Sequence, residues 1–171
     1  MRGACDAGYD TWDPMDSGTG EAALVVDSLR RLVYGLRVAS HTAERELGVT
    51  GAQLFVLREL AGEPGISIRR LSERTLTDPS SVSVVVSRLV ALGLVTQRRA
   101  TNDARRSVLA VSRKGRSLLA RAPEPYQVRL ITALMRLSPA RLRRLRLDLS
   151  TLVDTLEPTT GAAPLFFEEN R

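Results

Sequence analysis

DPSSVSVVVSRLVALG, residues 78–93, reads two ways. Ser81 to Val86 alternates polar and apolar side chains and is rich in β-branched residues, as a half-buried strand would be. Over the same residues Val82, Val85, Val86, Leu89 and Val90 fall at intervals of three and four, which is one stripe of a helix. Periodicity alone leaves both open. Asp78 followed by Pro79 has the form of an N-cap with proline at the first helical position, and Gly93 stands where a helix would stop. These end signals tip the reading toward a helix.

Working outward, Leu94 to Ala100 and Ser107 to Val111 read as two strands joined by a turn containing Thr101-Asn102-Asp103-Ala104, with Arg98, Arg99, Arg105 and Arg106 near its tip. On the N-terminal side, Ser67 caps a short helix with Ile68 and Leu71 facing inward. Before it, Thr50-Gly-Ala-Gln53 has capping-box spacing and opens a helix through Leu54, Leu57 and Leu60, ended by Gly62-Glu-Pro-Gly65. A long amphipathic helix covers Glu21 to Leu47 and stops at Gly48. After the strand pair a fifth helix starts at Ser112 and runs toward Leu137, interrupted at Pro123 and Pro125. Ser138-Pro139 opens a sixth, with the stripe Leu142, Leu145, Leu149, Leu152 and Val153. The expected organisation is a tail over 1–19, one domain over 20–157 and a second tail over 158–171. The two ends of the domain, about 20–48 and 113–157, are helical and flank a segment of about 50–112.

Charge narrows the functions. Between Ser67 and Arg116 there are eleven basic residues against three acids, a net +8 that leaves −2 for the rest of a chain of total charge +6. A basic block inside a folded region is the footprint of a polyanion partner; a merely solvated basic face is the plainer alternative. No eighteen-residue apolar run and no apolar stretch of signal-peptide length near the N-terminus are present, so a cytoplasmic protein without membrane contact is expected. With one cysteine, Cys5, and one histidine, His41, neither an internal disulfide nor a zinc site is expected. No glycine-rich phosphate loop, nucleophile elbow or paired-carboxylate motif occurs, so neither an enzyme nor a bound cofactor is expected.

The order of elements, together with Ser80 to Val95, Asp103-Ala-Arg-Arg106 and Val111-Ser-Arg-Lys-Gly115, resembles the MarR family over about Glu21 to Leu156. The middle motif is similar to that family's wing signature, Asp-x-Arg before an apolar strand. The last is similar to its Leu-Thr-x-x-Gly, with Val111 and Ser112 as departures. The resemblance implies a mainly α fold with a small β-hairpin wing: a winged helix-turn-helix plus a helical dimerisation region, with residues 78–93 as recognition helix. It further implies a homodimeric, sequence-specific transcriptional regulator, a repressor, on pseudo-palindromic double-stranded DNA. With Val82, Val85, Val86 and Leu89 turned inward, Ser80, Ser81, Ser83, Val84, Ser87 and Arg88 are left to face DNA; capping and solvent exposure are the plainer roles for the serines.

By the same resemblance Arg105 probes the minor groove and Asp103 braces it, while Arg98, Arg99, Arg106 and Arg113 suit phosphate contacts. An exposed surface ion pair is the plainer reading of Asp103 and Arg105. The resemblance also implies a small aromatic or anionic effector, for which Tyr34, Arg37, His41, Phe55, Arg58 and Tyr126 are the candidate lining. The plainer reading, which the residues favour, puts Tyr34 and Phe55 in the core and leaves His41 satisfied or exposed. Cys5 lies before the first helix, unlike the oxidant-sensing cysteines of some members. The competing function is a winged-helix protein-interaction module that has lost DNA binding.

Overall fold

The computed structural model describes residues 17–100, 103–156 and 165, and side chains over 19–98, 108–156 and 165. The chain folds as α1 (Ser17–Leu47), α2 (Gly51–Gly62), α3 (Ile68–Thr75), α4 (Pro79–Ala91), β1 (Val95–Ala100), β2 (Asp103–Val111), α5 (Arg113–Leu119), α6 (Tyr126–Met135) and α7 (Pro139–Leu156). Among the described residues it is mainly helical, with a single antiparallel strand pair. Two compact units are distinguished, residues 1–35 and residues 36–171. The first is described from Ser17, where α1 begins, three residues inside the segment expected to be a tail. The remainder of that tail lies outside the described residues.

Within the second unit α2 is the central helix. Gly51 to Leu57 and Leu60 are all buried, because α2 packs against α3, α4, α5, α6 and β2. A helix enclosed on so many sides carries apolar residues all round instead of on one stripe. Its start is fixed by the expected capping box: Gln53 N donates to Thr50 Oγ1 at 3.1 Å, and Thr50 N donates to Gln53 Oε1 at 3.1 Å. Gly51 N also donates to Ser40 Oγ of α1 at 3.1 Å, and a side chain at 51 would press on Ser40.

The ambiguous stretch is a helix. Val82, Val85, Val86 and Leu89 are buried, at spacings of three, four and seven from Val82. A strand would have put Val82, Val84 and Val86 on one face, yet Val84 is 41% exposed. The Asp78 carboxylate caps the helix by accepting from Ser80 N at 2.9 Å and Ser81 N at 3.0 Å. Before it, α3 ends at Leu76 in the left-handed region, φ 53°, with Leu76 N donating to Ser72 O.

The hairpin is longer than its sequence suggests. β2 begins at Asp103, not Ser107, and the register breaks between Arg99 and Ala100. A short segment flanks its other edge: Gly65 N donates to Leu109 O at 3.0 Å and Leu109 N donates to Ile66 O at 3.3 Å. This pairing seats Ile66 and Leu109 in the core.

The expected fifth helix is two, α5 and α6, separated across residues 120–125; Pro125 is the N-cap of α6. The start of α5 is tied to the end of α4, since Ser112 Oγ accepts from Gly115 N at 3.0 Å and donates to Gly93 O at 2.7 Å. A Cβ on Gly115 would fall inside contact distance of Leu94 O and of the Val111 side chain. Leu165, from the C-terminal segment, belongs to the same core as α2 and α4 and is 6% exposed. It packs on its own chain. Phe166 and Phe167 lie outside the described residues.

Candidate nucleic-acid interface

α3, the turn at Leu76 and α4 form a helix-turn-helix, and the β1–β2 hairpin follows as a wing. The outward face of α4 carries Ser80, Ser83, Val84 and Ser87, all exposed, with Ser81 and Arg88 half-buried. Two of these serines are committed to the cap. The Ser80 hydroxyl donates to Asp78 Oδ1, and the Ser81 hydroxyl donates to Asp78 Oδ2 at 2.5 Å. These hydroxyls, with the Ser81 N–H, hold the Asp78 carboxyl well below the usual carboxylate range. Ser80 and Ser81 therefore present only acceptor lone pairs outward. Ser87 Oγ donates back to Ser83 O at 2.9 Å. Ser83 and Val84 remain the side chains of α4 with polar and apolar surface open at its centre.

In the wing, Arg98 is exposed on β1 opposite Val108. The backbone of Arg99 pairs with Ser107, and that of Ala100 with Asp103. The side chains of Arg99, Asp103, Arg105 and Arg106 lie outside the described residues, and with them the expected brace between Asp103 and Arg105.

Not all of the basic block is free. Arg74 reaches from α3 to α2, its Nε 2.9 Å from Glu59 Oε2 and its second guanidinium nitrogen 3.3 Å from Glu63 Oε2. Arg70 bonds Glu73 at 3.0 Å and lies 3.7 Å from Glu63; hydrogen bonding to Glu73, then the charge of Glu63, raises its pKa. Arg69 lies 3.7 Å from Glu73. Glu59 and Glu63, which precede Ser67, thus offset part of the positive charge of α3. The i,i+3 spacing of Arg70 and Glu73 was visible in the sequence; the bridge between helices was not.

The candidate effector residues differ in exposure. Phe55 is buried in α2, Arg58 is half-buried, and Arg37 and His41 are exposed on α1. Tyr126 is half-buried, with the Arg129 guanidinium 5.6 Å from its ring centre. Tyr34, in the first unit, is 71% exposed, not the core residue of the plainer reading. Among the described residues no group of three metal-ligating side chains occurs, and no helix is long and apolar enough to cross a membrane.

These elements define a winged helix-turn-helix protein. Residues 47–106 match the sequence model of the MarR family. The chain is 30% identical over 88 residues to the HTH-type transcriptional repressor MdtR of Bacillus subtilis, covering 52% of this chain and 57% of the relative. The transcriptional regulator PcaV of Streptomyces coelicolor superposes with TM-score 0.52 at 28% identity, over 78% of this chain and 97% of that one. BldR of Sulfolobus solfataricus superposes with TM-score 0.52 at 19% identity, over 82% and 99%. FabT of Streptococcus pneumoniae, solved in complex with DNA, does so with TM-score 0.52 at 14% identity, over 81% and 96%. Over residues 47–106 the chain is thus similar to the MarR family of transcriptional regulators. It spans little over half the length of the curated repressor it matches, and the relatives named are regulators, not enzymes.

Proposed function

We propose that this protein is a sequence-specific DNA-binding repressor that acts as a homodimer on a pseudo-palindromic operator and is released by a small-molecule ligand. The observation that carries the reading is the outward face of α4. A helix whose buried side is fully apolar offers a narrow face of Ser83, Val84 and Ser87, slim enough to enter a major groove, beside an exposed Arg98 on the wing. A serine hydroxyl contacts base edges or phosphates, and Val84 suits a thymine methyl. Arg105, at the wing tip by sequence, is the residue assigned to the minor groove, with Asp103 orienting it.

Dimerisation is supported by apolar surface that the single chain leaves uncovered. In the first unit Leu24, Val25, Val26, Leu32 and Val33 of α1 are exposed. In the second, α7 has no fully buried residue and exposes Leu147, Leu149, Leu152, Val153 and Leu156. Apolar surface of this extent on a helix is a subunit contact waiting for its partner. A two-fold pair would set two α4 helices one turn of DNA apart, about 34–36 Å.

The test is binding of the purified chain to DNA from its own promoter region across a salt series, beside Arg105→Ala and beside random DNA, with the oligomeric state read by light scattering. A dimer that prefers promoter DNA, with affinity falling steeply in salt and weakened by Arg105→Ala, is the expected result. A chain that binds no DNA even at low salt is a protein-interaction module instead.

A further inference from the structure

At its C-terminal end α4 closes its own ladder: Leu92 N donates to Arg88 O, Gly93 N to Val90 O and Leu94 N to Leu89 O, each at 2.9 Å. The carbonyls of Leu92, Gly93 and Leu94 fall past the end of that ladder, where a helix leaves acceptors without partners of its own. All three are taken by the segment that opens α5. Lys114 Nζ donates to Leu92 O at 2.9 Å, the Ser112 hydroxyl to Gly93 O at 2.7 Å, and Ser112 N to Leu94 O at 2.9 Å. Gly115 completes the fit, since an added Cβ there would strike Leu94 O.

The same few residues close the wing. Val95 at the start of β1 pairs with Val111 at the end of β2, one step from Leu94 and Ser112. α5 packs in turn on α2, the central helix. The end of α4, the root of the wing and the core therefore meet at one joint. Ser112 reaches it with its backbone and a short hydroxyl, whereas Lys114 is an exposed side chain that reaches it with a long arm. A cation at a helix C-terminus is favoured by the helix dipole, and its bond to a carbonyl is charge-assisted.

We propose that Lys114 is a positioning residue for DNA recognition: by holding Leu92 O it fixes the C-terminal end of α4 to the start of α5, and so sets how α4 is presented beside the wing. The role rests on the DNA-binding reading of α4; the clamp stands without it. Reading base edges is a matter of geometry, and such a constellation has to be held to within about 0.5 Å and 10–20°. Phosphate contacts carry no sequence information and give sequence-independent affinity. A loosened α4 should therefore lose preferred DNA and keep random DNA. Lys114 belongs to the basic block between Ser67 and Arg116, so a direct phosphate contact is the rival role.

The test compares the full chain with Lys114→Met, which keeps the stem and loses the ammonium, and with Lys114→Arg, which keeps charge and donors. Hydrogen exchange of the free protein reads the clamp without DNA. In Lys114→Met the Gly93 and Leu94 amides should exchange about threefold faster or more, with Leu57 in α2 unchanged. Unchanged exchange at both amides overturns the clamp. In a salt series, Lys114→Met should bind promoter DNA about tenfold more weakly and random DNA nearly as well as the parent, with the log–log slope preserved and Lys114→Arg restoring most of the loss. Equal losses on both DNAs with a slope lower by about 0.9 make Lys114 a phosphate contact and overturn the positioning role. Promoter affinity equal to the parent's overturns it as well. A parent that binds no DNA, beside faster exchange in Lys114→Met, ends the DNA-binding reading and the positioning role with it, and leaves the clamp alone standing.

Discussion

The Arg74 guanidinium and the Glu59 carboxylate lie 2.8 to 2.9 Å apart across α3 and α2, both side chains more than half withdrawn from solvent. The pair joins the first helix of the helix-turn-helix to the central helix of the core. It combines a hydrogen bond from Arg74 Nε with a second charged contact at 2.8 Å. Removing one partner leaves the other partly buried and unpaired, which costs more than the pair contributes net. Arg74→Ala should lower the free energy of unfolding by about 1–2 kcal/mol, discounted for the solvent that still reaches it. Glu59→Gln, which keeps the shape and one acceptor, should cost less. Urea denaturation of both variants checks the order; equal and negligible shifts would mean that the pair contributes nothing.

Asp78 makes stability depend on acidity. Its carboxyl is held below the usual range by the hydroxyls of Ser80 and Ser81 and by the α4 N–H groups. A group with a lowered folded pKa stabilises fully above its unfolded pKa, about 3.9, and loses that contribution as pH falls toward the folded value. Asp78→Ala should therefore unfold at lower urea than the parent at pH 6, with the gap closing below about pH 4. Asp78→Asn, which still caps but carries no charge, should recover much of the loss at pH 6 and show little of the pH dependence. Paired denaturation curves from pH 6 to pH 3 decide it; a gap constant over that range would sink the linkage.

What the sequence made legible was whatever short-range chemistry controls. Thr50, Ser67, Asp78 and Ser112 each sit at a helix start and each caps it, because a cap is a contact within three residues. Pro123 and Pro125 marked the break that the structure widens into two helices. What stayed hidden was long-range. Two residues, Gly65 and Ile66, are too few to show strand periodicity, yet they pair along Leu109. The Arg74–Glu59 bridge spans fifteen positions. Phe55 looked like an effector-site candidate or a core residue from sequence, and only the enclosure of α2 from five sides makes it core. The wing arginines were the most conspicuous feature of the sequence, but a residue type at a hairpin tip gives no side-chain geometry.

Leu76 occupies the left-handed region at φ 53° with its side chain 71% exposed. A leucine gains no burial there to offset the crowding of its Cβ, which costs roughly 1–2 kcal/mol in that conformation. Asparagine tolerates the region far better. Leu76→Asn should raise the free energy of unfolding by about 0.5–1 kcal/mol. A thermal melt is sufficient to check it. A lowered midpoint would show that the leucine is held there by a contact stronger than its strain, and would make the turn itself a candidate docking point.

Leu165 lies far along the chain from the helices it packs with and is buried in the core of the second unit. A leucine withdrawn to this degree contributes by the apolar area it removes from water and by the cavity its loss would leave. Leu165→Ala should cost about 2 kcal/mol, at the low end of the range for buried leucines. The same substitution separates two roles for the segment. Packing within the subunit predicts a lower unfolding midpoint at a fixed protein concentration with an unchanged dimer dissociation constant. Packing across a subunit interface predicts the reverse: dimers that dissociate more readily, and a stability loss that disappears at high concentration. Sedimentation equilibrium beside urea denaturation, on the parent and Leu165→Ala, distinguishes them, and the first pattern is the one that the burial of Leu165 in its own core requires.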